Sequence, residues 1–433
     1  MSQPALEAAN ADGSTAGVVD RPRTPIPRPR SGRVRVALSM LGPAFVASVA
    51  YVDPGNFATN LQGGAEFGYE LLWVVLAANL IAMLVQYLSA KLGVATDRNL
   101  PQLCRERLPR WASWGMWLQA EVMAMATDVA EFLGAAIALN LLFGVPLLIA
   151  GLITGVIAVA ILELQRRGMR RYELAIAALL GIVFAGFLYE TARIGPSAHL
   201  ALAGLVPRVG GSRAVYLAVG IVGATVMPHV IYLHSALTQR RVPVTGYRER
   251  RRVLRYQRLD VLVALGIAGL VNMAMLAVFA KLLHTPALSG IATIQAAHAQ
   301  LGRLVGGGAA LAFAVALLAS GASSSSVGTY AGQVVMSGFV GIRIPLLVRR
   351  TVTMLPALAI LALGVGPTHA LVLSQVVLSF GIPFAVVPLV VLTGRTDVMG
   401  KHANGRLTSA AAYAVAGLIS ALNVILIVQQ LAG

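Results

Sequence analysis

The chain has 433 residues, of which 57% are hydrophobic and only 12% charged, with a mean hydropathy of +0.77. Roughly a quarter of the residues of a soluble domain are charged, so a soluble globular class is excluded. The net charge of +17 would suggest nucleic acid in a soluble chain, but here the arginines fall between apolar runs, so topology explains them and no nucleic-acid partner is expected.

Residues 1–35 are rich in Pro, Arg, Ser and Gly and lack an apolar core, which predicts a disordered basic cytosolic tail and no cleaved signal peptide. A membrane helix needs about 20 apolar residues. Eleven candidate spans follow, near 37–66 (interrupted), 69–95, 112–142, 146–164, 172–192, 213–238, 258–283, 305–336, 344–365, 368–393 and 408–431. They are numbered 1 to 11 below. With the N-terminus inside, all but five of the 34 basic residues lie in cytoplasmic segments or their helix ends; the five are Arg193, Arg208, Arg213, Lys281 and Arg303. That asymmetry supports the count and the direction, and it puts the C-terminus outside. The fold class expected is an all-α polytopic membrane bundle. A lone cysteine, Cys104, excludes an intrachain disulfide framework and reads as a bland residue in the polar loop after span 2.

Span 1 contains "AYVDPGNFATN", Ala50 to Asn60, which sets an acid, a proline and a glycine inside an apolar run. Proline removes a backbone donor and glycine adds freedom. In lipid the freed carbonyls need partners, and a break is tolerated where it lines a cavity. Span 6 has a second such place in "GATVMPHVIYLHSAL", at Met227, Pro228 and His229. Five spans separate the two, an odd number, so the second unit enters the membrane inverted. Paired broken helices in inverted units point to a transporter with a central binding site. A plain proline kink is the bland alternative, and two breaks beside polar groups, one unit apart, weigh against it.

Asp53 near mid-bilayer costs on the order of 3 kcal/mol if unpaired, and a bound cation offsets this. Asn56 adds a neutral oxygen three residues on, and unwound backbone near Ala50 and Ala224 offers carbonyls. Such oxygens suit Na⁺, Ca²⁺, Mg²⁺ or Mn²⁺. Met227, one residue before the second proline, brings a thioether, which favours transition metals over hard ions. Most of the 13 methionines must be packing residues, and it is position that singles out this one.

"DPGNFATN" in span 1 and "MPHVIYLHSAL" in span 6 resemble the two signature motifs of the Nramp family of proton-coupled divalent-metal transporters. "ATDVAEFLGAA" in span 3 is similar as well, and the likeness extends over nearly the whole chain, nearest to the bacterial manganese-transporting branch. The resemblance implies a LeuT-like fold: two inverted five-helix repeats, near 36–193 and 212–393, spans 1 and 6 unwound at the midplane, and a loop and peripheral eleventh helix over 394–433. It implies metal ligands at Asp53, Asn56 and Met227 with the Ala50 and Ala224 carbonyls. It implies import of Mn²⁺, with Fe²⁺ also expected, together with H⁺ as transported substrates, no resident cofactor, no enzymatic activity, no obligate protein partner, and a place in the bacterial inner (plasma) membrane.

Glu121, Asp128 and Glu131 lie seven and three residues apart on one face of span 3. Acids in series inside a membrane often relay protons; ion pairs that join helices are the alternative, with Arg349 and Arg350 at the start of span 9 as partners. The resemblance favours a relay that starts at Asp53 and runs along these groups. His229 is expected to serve proton transfer or a gate, and His234 to be a satisfied packing residue. Gln375, Asn79 and Asn272 are candidates for gating or for a conformation-dependent ligand, or simply bond between helices. "SGASSSSVG", Ser320 to Gly328, permits close helix packing, with a sodium site as the sharper alternative.

Two rival functions remain at this point. A sodium-coupled amino-acid symporter of the same architecture would not need Met227. A membrane-embedded metal enzyme built on Asp53, His229 and Glu131 would need a water-activating ligand set such as paired histidines, which the sequence lacks.

Overall fold

The computed structural model describes residues 42–208, 210–241, 246–285, 292–342 and 344–432. The expected tail at 1–35 and the first residues of span 1 lie outside them. Every regular element among the described residues is helical. Nine helices among them are long and apolar enough to cross a membrane, with the Ser212–Thr238 stretch taken as one. The two remaining expected spans are shorter pieces. Span 1 is split into Pro43–Val52 and Pro54–Phe67, and span 9 is the 17-residue helix Leu346–Ala362.

The interruptions follow from local sequence. The residue before a proline is pushed to extended backbone, while proline itself suits the first turn of a helix. Asp53 is accordingly extended (φ −71°, ψ 171°), and Pro54 opens the helix Pro54–Phe67. Upstream, the helix Pro43–Ser48 tightens into a 3₁₀ turn at Val49–Val52 before it stops. Span 6 repeats the pattern. Its first half is Ser212–Thr225, Met227 is extended (φ −77°, ψ 123°), and Pro228 opens the second half, Pro228–Thr238.

Around these two helices the longer ones interlock. Span 2 (Leu72–Thr96) lies along span 7 (Tyr247–Leu283), and span 3 (Arg110–Phe143) along span 8 (Gly307–Phe339). Span 10 (Pro367–Gly394) packs on spans 3 and 6, and span 11 (Arg406–Ala432) lies on span 10. Small residues permit the close approaches. Gly134 of span 3 faces the Pro54 ring, so that any Cβ there would collide with it, and Gly321 of span 8 faces the backbone of Ala135 in the same way.

The linker after span 2 corrects one expectation. Leu100–Arg107 is a short helix, started by a capping box in which Asn99 and Gln102 exchange side-chain and backbone bonds. Cys104 therefore sits on a helix and is fully buried, and burial pushes its thiol up to about 12. A thiol so held is inert.

Candidate metal centre at the two breaks

The first break caps itself. The Asn56 backbone N–H donates to Asp53 Oδ1 at 2.8 Å, as an N-cap aspartate requires. Asn56 Nδ2 donates to the same oxygen at 2.8 Å and to the Ala224 carbonyl at 2.9 Å. One amide thus ties the first break to the end of the first half of span 6. Thr225 Oγ1 lies 3.5 Å from Asn56 Oδ1. The other Asp53 oxygen, Oδ2, is buried and has no hydrogen-bond partner. Asp53, Asn56, Ala50, Ala224 and Met227 are all buried to within 1%.

Two carbonyls at the first break have side-chain donors from other spans. Asn272 Nδ2 donates to Tyr51 O at 2.6 Å, Ser320 Oγ donates to Val52 O at 2.6 Å, and Asn60 Nδ2 donates to Asn272 Oδ1 at 2.8 Å. Asn272 thereby holds the break from span 7. Ser320 does so from span 8, which gives the serine-rich stretch a backbone-capping role beside its close packing. Gln375 stands over Gly55, where a Cβ would meet its amide, and its Oε1 is buried without a partner. Asn79 is placed apart: it packs on Gly269 of span 7 and takes no part in the bonds at either break.

His229, in the first turn after Pro228, bridges to span 3. Its Nδ1 lies 3.3 Å from Thr127 Oγ1, one residue before Asp128, and its Nε2 is buried without a partner. Along span 3 the acids meet the span 9 arginines. Arg350 Nη1 donates to Asp128 Oδ1 at 2.9 Å and to Thr329 Oγ1 at 2.8 Å, and its Nη2 donates to Ser325 Oγ. Its guanidinium also lies over the Phe132 ring, 4.3 Å from the centroid. Arg349 holds Glu121 with two bonds, at 2.7 and 3.1 Å, and the Trp117 indole donates to the same carboxylate at 3.1 Å. Glu131 is buried against Gly328 of span 8, and its Oε2 has no donor.

His234 departs from expectation. Its Nδ1 pairs with Gln86 Oε1 at 2.8 Å, and Gln86 Nε2 donates to the Tyr51 hydroxyl at 2.5 Å, but Nε2 of the histidine is buried with no partner. Thr127, Gln86 and Thr329 were not singled out in the sequence. Each is an ordinary polar residue in an apolar run, and only its neighbours from other spans give it a task.

Among the described residues no three His, Cys, Asp or Glu side chains gather as a permanent metal cage. The donors at the breaks are one carboxylate, one amide, one thioether and backbone carbonyls, a mixed hard and soft set.

The family profile described as natural resistance-associated macrophage protein-like, Nramp, matches residues 44–429. The chain belongs to the Nramp family. Among curated relatives, the divalent metal cation transporter MntH of Deinococcus radiodurans is 52% identical over 400 residues, which is 92% of each chain. MntH of Bacillus subtilis is 50% identical over 396 residues, covering 91% of this chain and 93% of its own. Among solved structures, the Eremococcus coleocola manganese transporter, in complex with an aromatic bis-isothiourea compound, superposes with a TM-score of 0.82 at 32% identity, covering 96% of this chain and 91% of that one. A nucleobase–cation-symport-1 family transporter matches at TM-score 0.60 and 14% identity over 89% of this chain and 90% of that one, a likeness of fold alone. The Nramp chain is thus a multi-pass membrane transporter with the LeuT-like architecture, and the family is not one of enzymes.

Proposed function

We propose that this Nramp protein imports Mn²⁺, and also Fe²⁺, into the cytosol together with protons, by alternating access. Its relatives named as divalent metal cation and manganese transporters support the substrate class. The observation that carries the reading is the pairing at the breaks. Asn56 fastens Asp53 to Ala224, while Asp53 Oδ2 stays buried and free of donors. A buried carboxylate oxygen without a partner is rare, and a transported cation is the partner it lacks.

In this reading the metal is held by Asp53, Asn56, Met227 and the Ala50 and Ala224 carbonyls. Asn56 Nδ2 now occupies the Ala224 carbonyl, so metal arrival turns its amide and releases that oxygen. The Asp53 proton leaves as the cation arrives and passes by His229 toward Asp128, Glu131, Arg350, Arg349 and Glu121. Gln375 approaches the metal from span 10 in one conformation, and Asn272 and Asn79 line the moving interfaces. The two five-helix units span about 36–193 and 212–393, in the bacterial inner membrane, with the N-terminus cytoplasmic and the C-terminus outside. The wall is lipid, and the chain acts without an obligate protein partner.

The test is uptake of Mn²⁺ into sealed proteoliposomes with a pH dye inside. Metal entry accompanied by acidification supports the reading. Uptake that needs Na⁺, or metal entry with no proton movement, overturns the coupling.

A further inference from the structure

Span 10 carries two internal prolines, Pro383 and Pro388. A helical proline has no N–H for the carbonyl four residues earlier. The Ser379 and Phe384 carbonyls therefore lack their intrahelical donors, and inside a membrane each must find another. Each has one. The Tyr232 hydroxyl, from the second half of span 6, donates to Phe384 O at 3.4 Å. Asn423, from span 11, donates Nδ2 to Ser379 O at 2.8 Å, while its Oδ1 accepts from Ser379 Oγ at 2.7 Å. Asn423 is buried, although span 11 is largely exposed. Its neighbours Leu422 and Leu426 join Val215 and Val219 of span 6 and Val376 of span 10 in one apolar cluster.

One turn before Ser379 is Gln375. Its side chain stands over Gly55 at the first break, and a Cβ on Gly223, beside the second, would collide with its carbonyl. The turn that Asn423 secures is thus the turn that presses on both breaks.

We infer that Asn423 is a positioning residue for the metal site: from the eleventh helix it caps the carbonyl freed by Pro383 and so fixes the turn of span 10 that carries Gln375. The inference rests on the site reading given above. Without the cap, Ser379 O is buried and unpaired, span 10 shifts to rehydrate or re-pair it, and Gln375 moves with that turn.

The proline supplies an internal control. Pro383→Ala restores a backbone N–H to Ser379 O, which makes the Asn423 amide redundant. Mn²⁺ uptake would be measured in proteoliposomes for the full chain, Asn423→Leu, Pro383→Ala and the double variant. Asn423→Leu is expected to raise KM for Mn²⁺ on the order of tenfold. In the Pro383→Ala background the same change should alter KM by less than about twofold. An equal rise in both backgrounds, or no change of KM in either, overturns the inference. If Pro383→Ala does not accumulate, two other variants decide. Asn423→Asp loses the donor to the carbonyl and should reproduce the KM rise, whereas Ser379→Ala keeps that donor and should not; the reverse result overturns it. Failure of the wild-type chain to take up Mn²⁺ would be a different outcome: it removes the site reading, and this inference with it.

Discussion

The two breaks are built from the same backbone pattern, an extended residue followed by proline, yet they are finished differently. The first closes on itself, because Asp53 caps its own helix and Asn56 caps Asp53 in turn. The second has no side-chain cap at Met227, and its Ala224 carbonyl is satisfied only by Asn56 from across the interface. The carboxylate and the amide lie in span 1, and the thioether and the Ala224 carbonyl that Asn56 caps lie in span 6. In the proposed reading, the half with the carboxylate binds the metal and the half with the thioether selects it.

The sharpest way to break that contrast is Asp53→Asn, which keeps shape and removes charge. Mn²⁺ uptake should fall by about 100-fold, the cost of removing one partner of a buried charge pair, with the protein still eluting as a folded species in detergent. Wild-type uptake by a well-folded variant would dissolve the assignment of charge to span 1.

A smaller effect is expected one step away from the proposed metal site. Asp128 is paired with Arg350 and is linked to the breaks through Thr127 and His229. Asp128→Asn should slow proton entry by about tenfold while Mn²⁺ binding by calorimetry changes by less than about threefold. Equal loss of both would make Asp128 a structural member of the bundle.

Met227→Ala tests the half proposed to select. Mn²⁺ affinity should drop by about threefold and Cd²⁺ affinity by more, because the thioether matters most to the softer ion. Excess Ca²⁺ or Mg²⁺ should then inhibit Mn²⁺ uptake better than it inhibits wild type. A variant that resists those ions as wild type does returns Met227 to packing.

The last comparison concerns stability, and glycine at each break. A Cβ on Gly55 would meet the end of the Gln375 side chain, which can swing away, whereas one on Gly223 would meet the Gln375 backbone carbonyl, which cannot. Gly223→Ala should cost about 1–3 kcal/mol by overpacking, and Gly55→Ala less than about 1 kcal/mol. Melting temperatures in detergent give the order, and equal costs would show that both sites relax alike.

Much of this protein was legible as sequence because its solvent is lipid. Hydrocarbon enforces runs of fixed length, so the apolar spans could be picked out along the chain. Proline acts within its own turn, so Asp53-Pro54 and Met227-Pro228 announced extended residues and new helix starts. What each freed or buried polar group bonds to depends on which residues, tens to hundreds apart in sequence, are brought within 3 Å. Nothing local to Ser320, Asn272 or Asn423 says that it caps Val52, Tyr51 or Ser379. Nor does composition reveal that Cys104 lies buried on a capped helix, since a segment rich in charge reads as a loop until neighbouring helices cover its apolar side. The backbone's breaks were set by short-range sterics, and their closure was decided by tertiary packing, because a hydrogen bond in a membrane is satisfied by whatever donor the fold delivers.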